Sequence, residues 1–370
     1  MVLGIDIGTT SVAGVAVAPS GQVVASTTVA HHADLPSNGD GIDEQDPTKL
    51  LAAVESVKAD LMTKLSLGDS PHSPRTSTPP IHHSSFSILH SIGWTGQMHG
   101  VVAVNAQLEP ISPFVTWRDA RRYGGPVMAQ WGQALARGQS PFKGGQTPFK
   151  CLPVCGLPQI GKSQKCEIDP SFLESWHLEM GTVPVEWLPE VVEGSMLGDN
   201  QAGVYAAQQL VPGCAVVNLG TSGQLSVVVE GDRPQNGDSP RGGDPRIERR
   251  WFPGGRKLLC RASLVGGQAW AALQHETGAS WDDLNEAARS KGDSPLERRA
   301  RACVREIVDD LVAGFDLRGV KGIVGVGNAL VRNSALRDAI EERFDLPCIL
   351  PQIPEMAAYG AALYKMNAMR

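Results

Sequence analysis

No stretch of this chain holds the roughly 20 consecutive apolar residues that a membrane helix needs, so no membrane partner is expected. The opening Met-Val-Leu-Gly carries no basic run, and Gly8 to Thr10 breaks the first apolar stretch, so a secretory leader is not expected and the cytoplasm is the expected compartment. Lys and Arg form no stripe interleaved with aromatics, and the formal net charge is -6, so nucleic acid is not an expected partner. Paired Cys-x-x-Cys spacing is also lacking. The seven cysteines are odd in number and lie mostly in apolar surroundings, which fits reduced thiols. Cys151, Cys155 and Cys166 cluster without the spacing of a zinc site.

What the chain does have is length and apolar content: 370 residues, 42% hydrophobic, enough for two cores. Two β-branched runs, Val2 to Ile7 and Ser11 to Val17, flank Gly8-Thr9-Thr10 and predict an antiparallel hairpin with a tight turn. Such a turn offers backbone N–H groups and two hydroxyls, and Asp6 stands just before that turn, with Ile7 between, on an otherwise apolar strand. A carboxylate beside a phosphate-sized cradle suits a Mg²⁺-nucleotide; a buried hairpin with a solvated Asp is the plainer alternative. The same grammar returns in Cys214 to Glu230 around Gly220-Thr221-Ser222-Gly223. A repeated hairpin suggests two halves able to grip a phosphate chain from both sides.

Further expectations follow along the chain. A third strand spans 22 to 29, and Asp46-Pro47 opens a helix over 47 to 65. Residues 66 to 85 read as a polar loop, with His72, His82, His83 and His90 in or near it as solvated side chains. After a strand over 87 to 94, Gln97, Met98 and His99 sit between glycines and suit a polyhydroxylated ligand. Trp117, Asp119 and Arg121 alternate, and on a strand they would share one side as a sugar platform. Residues 138 to 166 read as irregular and 231 to 255 as a long exposed insert. Between them, Gly198-Asp199-Asn200 opens a helix whose N-terminus favours an ionised Asp199, the state a general base needs; a simple N-cap is the plainer reading. Gly266-Gly267 stands at a helix start, and Ser294-Pro-Leu-Glu297 is a capping box. Strand, glycine turn and helix around Gly325-Val-Gly327-Asn328 would frame a base and ribose, without the G-x-G-x-x-G of dinucleotide sites. A closing helix is expected over 355 to 366.

Five motifs in this order resemble the FGGY carbohydrate kinases, relatives of actin and hexokinase: Gly4 to Thr10, Thr95 to Gly100, Trp117 to Arg121, Gly198 to Ala202, and Gly220 to Gly223 with Gly325 to Asn328. The resemblance implies an α/β fold of two ribonuclease-H-like domains with a cleft, a shortened sugar-binding domain over 1 to 197 and an ATP-binding domain over 198 to 370. It also implies ATP and Mg²⁺ as cofactors and a ketose as substrate, sedoheptulose ahead of xylulose, with a place in the pentose phosphate pathway. Carried over by position, Asp199 is the catalytic base and Asp6 the acid near Mg²⁺; Gln97, Met98, His99, Trp117, Asp119, Arg121 and Asn200 contact the sugar. Gly8, Thr9, Thr10, Gly220, Thr221, Ser222, Gly266, Gly267, Gly325, Gly327 and Asn328 match the nucleotide side. Arg122 to Leu197 is shorter than the family's corresponding stretch, so a relative that binds sugar or nucleotide without turnover is the second reading. Monomer and homodimer both stay open.

Overall fold

The computed structural model describes residues 1–36, 41–67, 91–97, 100–104, 109–110, 112–119, 150–153, 196–220, 222–230, 247–263, 265–315 and 317–369. They pack as two compact units, Met1–Ala206 with Ile353–Arg370, and Ala207–Gln352.

In the first unit, β1 (Val2–Ile7) and β2 (Ser11–Val17) pair antiparallel in the register Val2↔Val17 to Ile7↔Val12. β3 (Val23–Ala30) continues the meander, β4 (Glu44–Gln45) leaves it, α1 (Pro47–Leu67) follows, and β5 (Ser91–Gly96) pairs parallel with β1. The sheet order is β3-β2-β1-β5. The turn of α1 begins as its sequence requires, with Thr48 N–H donating to Asp46 Oδ1 at 2.8 Å.

Strand alternation sorts the two faces of this sheet. Leu3, Ile5 and Ile7 join the core that holds Leu50, Val54, Val57 and Leu61 of α1. Val2, Val15 and Val17 join Ala358, Tyr359, Ala362 and Met366 of the last helix, α8 (Met356–Ala368). Glycine makes the second face possible. A Cβ at Gly4 would lie 1.8 Å from the Ala358 carbonyl oxygen, and one at Gly93 would lie 2.1 Å from that of Ala361. α2 (Asp199–Leu210) lies against α8 in the same way, since a Cβ at Gly360 would meet the Ala202 oxygen at 1.8 Å.

A second sheet of this unit runs β4-β7-β6-β8, with β6 (Val101–Val104), β7 (Phe114–Val115) and β8 (Lys150–Pro153). β8 falls inside the stretch expected to be irregular; its four residues are too few to show a period amid Gly, Pro and Lys. The division expected at 197/198 also differs from the packing, because α8, distant in sequence, covers β1, β2 and β5.

The second unit holds a six-stranded sheet, ordered β11-β12-β10-β9-β13-β14. Its strands are β9 (Ala215–Leu219), β10 (Gly223–Val229), β11 (Ile247–Phe252), β12 (Arg256–Ser263), β13 (Ile323–Val326) and β14 (Cys348–Ile349). The helices are α3 (Gly267–Thr277), α4 (Trp281–Arg289), α5 (Pro295–Val312), α6 (Asn328–Arg332) and α7 (Ser334–Phe344). Val217, Leu219 and Leu225 share a core with Trp270, Leu284, Ile307, Leu311, Leu330 and Leu336.

The expected insert over 231 to 255 is therefore partly strand. Residues 247–252 pair with 256–263 across a turn in which Gly254 and Gly255 take φ of 79° and 72°. The charges of Glu248, Arg249 and Arg250 conceal an edge strand whose Phe252 is fully buried. The capping box of α5 is as expected, Glu297 N–H donating to Ser294 Oγ and Ser294 N–H to Glu297 Oε2. An unforeseen one, Ser280 with Asp283, starts α4.

Candidate active site

The two-faced sheet of the first unit determines what Asp6 meets. Val2 and Gly4 face α8, so Asp6, two residues further along β1, faces the same side at the level of the helix start. Gly4 and Gly93 hold α8 at backbone contact, and Gly360 holds α2 against α8. Two helix N-termini, carrying Asp199 and Glu355, are thereby brought toward Asp6.

Burial, and then the charges of Asp199 and Glu355, push the Asp6 carboxyl up to about 7. Its Oδ1 is buried and accepts no hydrogen bond from the described residues. Asp199 begins α2, exposed, with Oδ1 accepting the Asn200 N–H at 2.6 Å. Glu355 accepts from Thr28 Oγ1 at 2.6 Å. Thr95, the parallel register partner of Asp6 on β5, shares its face and is fully buried, and its Oγ1 also has no partner.

The β1–β2 turn closes through Gly8 N–H donating to Ser11 O at 2.9 Å. Around it, Gln45 donates from Nε2 to Thr9 O at 2.7 Å, and Trp117 donates from Nε1 to Thr9 Oγ1 at 3.2 Å. Gln97 N–H donates to Ile7 O at 2.9 Å, which extends the β1–β5 ladder by one bond. His31 is buried beside the turn, its Nδ1 accepting the Ala33 N–H at 3.0 Å; burial holds its pKa below the usual value.

The sugar platform expected over 117 to 121 does not form on a strand. β7 stops at Val115, and the chain turns, with Asp119 N–H donating to Thr116 O. Trp117 is 43% exposed while Asp119 is 0% exposed and accepts the Asp43 N–H at 3.0 Å. The turn follows from Asp43, which takes Thr116 Oγ1 and an Arg118 ion pair at 3.0 Å. Met98, His99 and Arg121, like Thr221, Cys155, Cys166 and the four histidines from 72 to 90, lie outside the described residues.

In the second unit three segments converge. Gly267 N–H donates to Gly220 O at 2.9 Å, and a Cβ at Gly266 would lie 2.4 Å from the Ser222 carbonyl carbon. The glycine pair thus lets α3 start in contact with the β9–β10 turn. Gly327, at φ 91°, caps α6, and a Cβ there would meet Leu219 O at 2.4 Å. Ser222 and Asn328 are exposed, and space around Gly220 is open. Gly325 differs: its missing side chain would lie against Leu330, Cys348 and Leu350, within the sheet packing.

Sequence reasoning missed Glu355, Thr95, His31 and Gln45. Glu355 is far from Asp6 in sequence, and only the small residues of 357 to 362 hinted at how closely its helix would lie on β1.

Comparisons with known proteins find sugar kinases. Residues 1–156 match the FGGY family of carbohydrate kinases, N-terminal domain. The sedoheptulokinase of Homo sapiens is 25% identical over 495 residues, covering 99% of this chain and 97% of that enzyme. An alignment of that length against a 370-residue chain means that part of the human enzyme has no counterpart here. The xylulose kinase of Staphylococcus xylosus is 32% identical over 121 residues, 32% of this chain and 20% of that enzyme. Among solved structures, one described as a xyloylose kinase from Brucella ovis has a TM-score of 0.75 at 18% identity, covering 99% of this chain and 90% of that one. The fold is that of the FGGY sugar kinases, the actin- and hexokinase-like α/β ATPase architecture.

Proposed function

Taking as premise that residues 1–156 are an FGGY carbohydrate-kinase N-terminal domain, we propose that this chain is an ATP-dependent ketose kinase. Its substrate is sedoheptulose, phosphorylated to sedoheptulose 7-phosphate. The observation that carries the reading is Asp6, whose Oδ1 is buried and unpartnered among the described residues and which faces the helix starts of Asp199 and Glu355.

Asp199 is the general base. Exposed at the first turn of α2, it accepts the proton of the attacking sugar hydroxyl. Asp6 fits a divalent cation, since a positive charge there would pair its orphaned Oδ1 and offset the repulsion from its two acidic neighbours. Among the described residues no three His, Cys, Asp or Glu side chains converge as a metal cage. Asp6 would be the protein group that holds the ion, and the ion would supply charge neutralisation beside the phosphates. Bound MgATP supplies the γ-phosphoryl group and the charge neutralisation for its transfer. Thr9 and Thr10 offer hydroxyls, and the turn that carries them is fixed from outside by Gln45 and Trp117. Gln97, Met98, His99, Trp117 and Asn200 are the sugar-side residues of this reading, and Asp119 supports them by holding the Asp43 backbone. Gly220, Thr221, Ser222, Gly266, Gly267, Gly327 and Asn328 are its nucleotide side.

The near-full-length match to sedoheptulokinase favours the seven-carbon ketose, and the 121-residue match to xylulose kinase makes xylulose the second reading. A coupled ADP-release assay over sedoheptulose, xylulose, ribulose and glycerol tests it. Turnover highest with sedoheptulose is expected. Turnover highest with xylulose selects the second reading, and ketose binding by calorimetry without ADP release selects a non-catalytic relative.

A further inference from the structure

Two glutamines beside the β1–β2 turn form a chain whose polarity can be read without ambiguity. Gln45 is fully buried, and one end of its amide lies 2.7 Å from Thr9 O and 2.8 Å from Asp34 Oδ1. A peptide carbonyl and a carboxylate only accept, so that end must be the NH₂ group. Its other end, the carbonyl Oε1, then faces Gln97 at 3.0 Å and can only accept. Gln97 must therefore turn its own NH₂ toward Gln45. What remains is Gln97 Oε1, buried in a residue 2% exposed and without a hydrogen-bond partner among the described residues.

The geometry points to Gln45 as the positioning residue that fixes Gln97 so that a buried acceptor, and not a donor, is offered to the ligand. The inference rests on the sugar-kinase reading and deepens it: the group received at Gln97 is a donating hydroxyl of the ketose. Leaving a buried carbonyl unpaired is costly, so an orphan held by so complete a network is explained by a partner that arrives with the substrate. The network also ties the two sides of the site together. The same Gln45 amide that orients Gln97 holds the carbonyl of Thr9 in the turn, and Gln97 N–H holds Ile7 O on the strand that leads into it.

Calorimetric titration of sedoheptulose into the full chain tests this, with melting curves to verify folding. Gln97→Met and Gln45→Met are each expected to weaken binding about ten-fold, the size of one buried hydrogen bond. The double variant is expected to bind no worse than Gln97→Met alone, because both changes remove the same acceptor. Wild-type affinity in Gln45→Met, or losses that multiply to about a hundred-fold in the double variant, would overturn the inference. Gln97→Glu serves where Gln45→Met folds poorly. It keeps an oxygen on the ligand side but sets oxygen against oxygen at Gln45, so it is expected to bind at least as weakly as Gln97→Met. Affinity equal to wild type would refute the assigned polarity. If the wild-type chain itself binds neither sedoheptulose nor xylulose, the sugar-kinase reading fails and this inference fails with it.

Discussion

Asp6 keeps its proton up to about pH 7 in the folded chain, against 3.8 for an ordinary aspartate. Between those values the folded state binds more protons than the unfolded state, so stability falls as pH rises through this window. In the presence of EDTA, the wild-type melting temperature is expected to drop relative to Asp6→Asn between about pH 4 and pH 7, and the two curves to run parallel above that range. Parallel curves throughout would mean that the carboxyl titrates normally and that burial and its acidic neighbours are not felt. The site thus holds a group that its own fold disfavours in the charged form, a common mark of functional positions. Asp6 was legible in the sequence as an acid on an apolar strand. The third carboxylate, Glu355, was not, because proximity across some 350 residues leaves no local trace.

At the scale of elements, the close passage of α8 over β1 is what aligns the carboxylates. Gly4→Ala would drive a methyl group into the Ala358 carbonyl and displace the helix. Overpacking of this kind costs typically 1–3 kcal/mol, to be read as a fall in the denaturation midpoint. Turnover is expected to fall as well, because the displaced helix carries Glu355 with it on the face of β1 that Gly4 shares with Asp6. Unchanged stability would show that α8 can move away freely. The elements that carried strong patterns were legible in advance: the two hairpins, α1 with its Asp46-Pro47 start, and α5 with its capping box. Those that escaped had their signal diluted. β11 carries three consecutive charges, Glu248, Arg249 and Arg250, at a sheet edge, and α4 is a short helix that follows α3 after three residues. The segment around Trp117 was misread as a strand because its alternation is real, while the hydrogen bonds of Asp43 that bend it come from far away in sequence.

For the whole molecule, sequence order and packing order differ. The last residues, from Ile353, belong to the unit that begins at Met1. Deleting residues 353 to 370 is expected to strip one face of the first sheet, so amide exchange protection in β1 would collapse while that of β9 and β10 persists. The opposite pattern, loss in β9 and β10 alone, would favour the division at 197/198. A reading by linear motifs finds such residues but not their grouping, which depends on small side chains meeting backbone at Gly4, Gly93 and Gly360. The central claim is that an ionised Asp199 takes a proton from a sugar hydroxyl. It is tested most directly by coupled ADP release with sedoheptulose for wild type and Asp199→Ala, alongside calorimetric sugar binding. The expected result is turnover lower by about two orders of magnitude or more with sugar affinity retained, whereas equal turnover in the two proteins would contradict the account.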